Sequence, residues 1–104
     1  MINMKVGSRN SDIIILRYLN DKKLAVSKQI VQDLNFNISK VMRATDSLRR
    51  FGLIKAIRKW ENIEEFDKLA NKLKLKEKGL YGSTKIIWMI TKAGERSIKN
   101  NLMI

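Results

Sequence analysis

"LNFNISKVMRATDSLRRFGLI", residues 34 to 54, contains a helix whose two ends are both marked by side-chain chemistry. Asn37 stands just before Ile38, where an asparagine can accept a hydrogen bond from the first free backbone N–H groups of a helix. Asn35 and Asn37, around Phe36, break the preceding segment, because asparagine tolerates left-handed backbone and caps helices. Val41, Met42, Thr45, Leu48 and Phe51 then recur at helical spacing, which predicts a helix with that stripe turned inward. Ser39, Lys40, Arg43, Ser47 and Arg50 fall on the opposite face. Gly52 lies where a helix takes a left-handed residue past its last turn, and Leu53 can fold back onto that turn. The stretch reads as a helix from about Ile38 that stops at Gly52 and feeds a strand, Leu53 to Trp60.

Beyond the stop the chain turns basic. Lys55, Arg58 and Lys59 sit close together in a chain whose 22 Lys+Arg outnumber 10 Asp+Glu, for a formal charge of +12. A compact chain with that charge repels itself unless salt or a polyanion screens it. Nucleic acid is the first candidate and an acidic membrane surface the second. No run reaches the ~18 apolar residues of a membrane-crossing helix. Ile13 to Leu16 is too short for a signal-peptide core and has Asp12 beside it. The expectation is a cytoplasmic protein with no membrane partner. The chain has no Cys and no His, which removes disulfides, thiolate zinc sites and imidazole catalysis. Glu61, Glu64, Glu65 and Asp67 form the one acidic cluster, and acids favour the first turn of a helix. No glycine-rich phosphate loop occurs. No enzyme, catalytic residue, metal or cofactor is expected.

Toward the N-terminus, residues 1–9 read as a loose polar arm. "SDIIILRYLN" predicts a first helix, Ser11 to about Asn20, with Ser11 as its cap, although the four-residue apolar run Ile13 to Leu16 also fits a strand. "LAVSKQIVQDLN" predicts a short second helix, with Ser27 as cap and Ile30, Val31 and Leu34 inward. "TKIIWMIT", Thr84 to Thr91, is β-branched and aromatic and predicts a second strand. "TKAGERSIKNNLMI" predicts a last helix, with Ile98 and Leu102 four apart. Residues 61–83 are too many for a tight hairpin. Within them Asn62 and Glu65 have the form of a capping box, and Ile63, Phe66, Leu69 and Leu73 make an apolar stripe. An inserted helix is therefore expected from Asn62 to about Lys76, with Gly79 or Gly82 ending the segment. Lys72, Lys74, Lys76 and Lys78 fit a phosphate clamp or a solvated face equally. Trp60 and Trp88 are expected to pair across the strands rather than to stack on bases.

The order helix, helix, helix, strand, insertion, strand, helix resembles a winged helix-turn-helix domain. Leu34, Val41, Leu48 and then Gly52-Leu53-Ile54 are similar to the turn and third helix of MarR-like and PadR-like regulators. Ile90, Thr91, Gly94 and Ile98 resemble the end of their second wing strand. Thr45, where a larger aliphatic is usual, and the helical insertion depart from the pattern. The resemblance covers about residues 11 to 102 and implies a mostly helical α+β fold, one domain over residues 1–104. It also implies a third helix in the major groove and a wing over neighbouring backbone. Ser39, Lys40 and Arg43 would then face DNA, Ser47 and Arg50 would reach phosphate, and Lys55, Arg58 and Lys59 would flank the groove.

The implied function is sequence-specific binding of double-stranded DNA, as a small transcriptional regulator. A plasmid or viral protein that binds a partition site is an alternative. An RNA-binding or ribosomal winged-helix protein is another, and a protein–protein adaptor is a third that the charge disfavours. Members of this fold pair to place two helices in successive grooves, so a homodimer is expected. Its seam would be the stripe Ile63, Phe66, Leu69 and Leu73, unless that helix folds back as core on its own domain or crosses DNA with its lysines. A small-molecule effector is left open.

Overall fold

The computed structural model describes residues 10–100, among which five helices and a three-stranded antiparallel sheet make an α+β fold. The order is α1 (Asn10–Lys22), β1 (Leu24–Ala25), α2 (Ser27–Leu34), α3 (Ile38–Arg50), β2 (Ile54–Arg58), α4 (Ile63–Lys72), β3 (Ile86–Ile90) and α5 (Lys92–Lys99). Residues 1–9 and Leu102 lie outside the described residues.

Both ends of α3 form through the expected chemistry. Asn37 Oδ1 accepts from Lys40 N at 2.8 Å. At the other end Gly52 has φ +74°, Gly52 N donates to Arg49 O, and Leu53 N donates to Leu48 O. Those two crossed bonds satisfy carbonyls that the helix leaves without partners. Val41, Thr45 and Leu48 are buried, but Met42 and Phe51, expected inward, are exposed. They flank the stripe, and the neighbouring elements cover only its centre. Thr45 hides its hydroxyl by donating to Val41 O at 2.9 Å, so a polar residue costs little at this buried position.

The other helices differ in detail from expectation. Helix α1 begins at Asn10, so Ser11 lies inside it, and it runs on to Lys22. Helix α2 is capped at Val26 rather than Ser27: Gln29 Oε1 accepts from Val26 N at 3.1 Å. Ser27 Oγ instead accepts from Trp88 Nε1 at 3.2 Å. Tyr18 on α1 donates to Asp33 Oδ2 on α2 at 2.7 Å. Burial first, then that bond and the carboxylate's charge, pushes the Tyr18 phenol above its ordinary pKa. Asn35 is left-handed at φ 56°, which ends α2 as its residue type predicts.

β3 is the centre of the sheet, with β1 and β2 on its two sides. Strand alternation gives the sheet two different faces. Ala25, Ile54, Ala56, Ile86, Trp88 and Ile90 pack on one core with Ile15, Leu16 and Leu19 of α1, Ile30 of α2, and Val41 and Leu48 of α3. Leu24, Ile57, Ile87 and Met89 point the other way, into a second core with Phe66, Leu69, Ala70 and Leu75. The insertion is thus a lid on the back of the sheet. The expected two-copy seam is overturned by this packing. Phe66 and Leu69 are buried within the chain, Leu73 packs against the same core, and of the four only Ile63 is exposed. An apolar sheet face needs cover, and α4 supplies it.

Helix α4 is capped by Asn62, whose Oδ1 accepts from Glu65 N at 3.1 Å. It ends at Lys72, short of Lys76, because Lys74 turns left-handed at φ 57° and Leu75 N reaches back to Ala70 O. Trp60 and Trp88 do not pair. The register sets Trp88 opposite Ala56 on β2 and Ala25 on β1, while Trp60 lies beyond the strand end and is 62% exposed.

Two motifs that are far apart in sequence turn out to be halves of one contact. Thr91 caps α5, its Oγ1 accepting from Gly94 N at 3.1 Å and donating to Gly52 O at 2.7 Å. Thr91 N also donates to Leu53 O at 3.1 Å. The start of α5 is clasped against the stop of α3.

Candidate nucleic-acid interface

The outward face of α3 is set by its buried one. With Val41, Ala44, Thr45 and Leu48 facing in, Ser39, Met42, Arg43 and Arg50 face out and are exposed. Asp46 lies among them and binds two arginines, Arg49 at 3.0 Å and Arg50 at 2.9 Å. These pairs are solvent-exposed and each worth at most about 1 kcal/mol, so an incoming phosphate can take either guanidinium from Asp46. Lys40 is exposed on the flank of α3, its ammonium 4.9 Å from the centre of the Phe36 ring.

Beside this face runs a cleft between α3 and the sheet. One part, of about 270 Å³, is lined by Met42, Thr45, Asp46, Arg49, Arg58 and Trp88, among others. The adjoining part, of about 260 Å³, is lined by Val26, Lys28, Ile38, Met42, Lys85 and Ile86, among others. Lys28 Nζ donates to Ser83 Oγ at 3.1 Å, tying the start of α2 to the chain that enters β3. The cleft has an apolar floor and a rim of Lys28, Arg49, Arg58 and Lys85.

Apart from Lys40 on the flank and Ser47, the expected contact residues therefore divide into two groups. Ser39, Arg43 and Arg50 share the outer face of α3, and Arg58 faces them across the cleft. Its guanidinium is 3.5 Å from Glu61, a loose pair. Lys55 and Lys59 alternate with Arg58 along the chain and point to the α4 side of the sheet. Lys55 is exposed there. The Lys59 ammonium lies 4.1 Å from the Tyr81 ring centre and 5.7 Å from that of Phe66, while Lys76 approaches Tyr81 at 4.9 Å. Tyr81 donates to Asp67 Oδ1 at 2.5 Å. That hydrogen bond first, then burial and the charge of Asp67, raises its pKa above the ordinary phenol value. Lys59 is thus held by aromatic faces away from α3.

Ser47 is a correction. It was expected to reach phosphate, but it is 5% exposed and its Oγ is buried without a hydrogen-bond partner. Such a hydroxyl carries an unrecovered desolvation cost of about 1–3 kcal/mol. Ser47→Ala should therefore raise the unfolding free energy by about 1 kcal/mol or more, helped by alanine's better helix propensity. Affinity for a DNA duplex should not change. Urea unfolding and a duplex titration of the same variant check both halves, and a clear loss of affinity would restore Ser47 to the interface.

Sequence reading missed Arg49, Lys28 and Lys85. Arg49 is given by helical phase once the buried face is known. Lys28 and Lys85 come together only through the pairing of β1 and β2 with β3, for which the two-residue β1 leaves no periodic signal. Among the described residues no cluster of acidic side chains could hold a metal ion, and no helix is long and apolar enough to cross a membrane. No known protein family, characterised protein or solved structure matches this chain.

Proposed function

We propose that this chain is a winged helix-turn-helix protein that binds double-stranded DNA, with α3 in the major groove and the β2–β3 end of the sheet over the neighbouring backbone. The observation that carries the reading is the exposed Ser39–Arg43–Arg50 face of a capped helix, set beside a cleft rimmed by Lys28, Arg49, Arg58 and Lys85. A helix of this width fits the major groove, arginine can take a guanine edge through two hydrogen bonds, and lysine suits phosphate. The net charge of +12 supports a polyanionic partner.

A small transcriptional regulator is the role that best fits one short reading helix in a chain without Cys or His. Partition-site binding uses the same contacts. Structured RNA is the competing ligand, since its partners are equally basic. Pairing of two copies, if it sets two α3 helices into successive grooves, would use a surface other than the buried stripe of α4.

If about six cations of this face neutralise phosphates, log affinity should fall with log salt at a slope near −5. That is a loss of roughly 10³-fold between 50 and 200 mM salt. Fluorescence anisotropy with a labelled duplex measures the slope, and a structured RNA of equal length is the competitor. A flat salt response rules out a phosphate-binding face. Preference for the RNA at every salt concentration would move the reading to RNA.

A further inference from the structure

Two side chains on the reading face do not suit a purely electrostatic role. Ile38 is 47% exposed and Met42 is 60% exposed, although both stand on α3 among Ser39, Arg43 and the cleft's cationic rim. They lie one helical turn apart, and the floor between them and the sheet is apolar, with Val26 and Ile86. We propose that Ile38 and Met42 are specificity residues that contact the C5 methyl groups of thymines in the major groove. This inference rests on the duplex-DNA reading above.

The rim and the floor together select the ligand. Lys28, Arg49, Arg58 and Lys85 around the cleft repel a second copy of a +12 chain and call for an anionic frame. Ile38 and Met42 call for apolar groups inside that frame. A DNA major groove has both, because thymine alone among the bases presents a methyl group there, between two phosphate backbones. RNA lacks that methyl, and its major groove is too narrow for side chains to read. Four residues of helix rise about 6 Å, and successive base pairs rise about 3.4 Å. The two side chains would then touch thymines about two base-pair steps apart. Arg43, next to Met42, is placed to take a guanine near them.

The test removes only the methyl groups. A preferred duplex is selected from a random library, and each thymine is then replaced singly by deoxyuridine. The parent protein should lose about fourfold in affinity at each contacted position, the value of one buried methyl-sized group. Met42→Ala should bind the thymine and deoxyuridine forms equally at one such position, and Ile38→Ala at another about two steps away. Both residues are exposed, so the variants should fold, and sedimentation of each checks for self-association.

If the protein prefers a sequence yet no deoxyuridine substitution moves the affinity, the inference falls and the duplex reading stands. If no duplex binds, both fall. If Met42→Ala instead dissociates an oligomer, or abolishes binding to anionic phospholipid vesicles, the pair belongs to a different interface and the inference is overturned.

Discussion

Gly94→Ala is expected to lower the unfolding free energy by about 3 kcal/mol or more, at the upper end for adding one methyl group to a packed core. An added Cβ would overlap Leu53 O and sit 2.8 Å from Ile90 Cγ1. The Ile90 side chain can give a little. The Leu53 carbonyl cannot, because it accepts from Thr91 N in the clasp between α3 and α5. Gly94 is helical, so alanine would otherwise gain about 1 kcal/mol in propensity, and the expected loss is net of that gain. Gly82 is the control, since nothing lies within 4 Å of its added Cβ. Gly82→Ala should be neutral or slightly stabilising. The readout is the urea midpoint at unchanged slope, and a Gly94→Ala variant as stable as its parent would mean that α5 does not approach Leu53 so closely.

Phe66→Ala should cost about 3–5 kcal/mol, the usual range for emptying a buried aromatic site. Phe66 is fully buried between α4 and the back of the sheet, and its ring centre is 6.2 Å from that of Tyr81. Ile63→Ala, on the same stripe but exposed, should change stability by less than about 0.5 kcal/mol. Thermal unfolding at several protein concentrations separates this from a two-copy seam. A seam makes the midpoint rise with concentration, whereas a core residue leaves it fixed. Equal effects of the two substitutions would contradict the burial difference between them.

How much of the fold was legible in the sequence depends on the range of each interaction. The ends of α3 were readable because capping acts within four residues: Asn37 needs only Lys40, and Gly52 only Arg49 and the backbone around it. The existence of α4 was readable for the same reason, from Asn62, Glu65 and the spacing of Phe66 and Leu69. What the apolar face of α4 would cover was not. Periodicity says that a face is apolar, and a sheet face within the chain satisfies it as well as a second copy does. Ser47 was misplaced because it stands at the edge of the buried arc of α3, where the helical phase alone does not decide. Trp60 and Trp88 were mispaired because strand register is a tertiary property, set here by Arg58 opposite Ile86. Of the basic residues, Arg43 and Arg50 were given by helix phase, whereas the split of Arg58 from Lys55 and Lys59 required knowing which sheet face meets which helix.

The position of β3 bears on how the chain is made. Among the described residues the two outer strands pair only with β3, which is the last strand in sequence. A chain emerging from the ribosome can close α1, α2 and α3 on one another early, because their contacts are local. β1 and β2 must wait with open hydrogen-bonding edges until residues 86–90 arrive, and the apolar stripe of α4 waits with them. Stalling or truncation ahead of Ile86 would leave both edges and that stripe exposed at once, a nascent species prone to aggregate. The cations of β2, Lys55 and Arg58, sit on the longer of those waiting edges, where charge discourages strand-to-strand association before the central strand is synthesised.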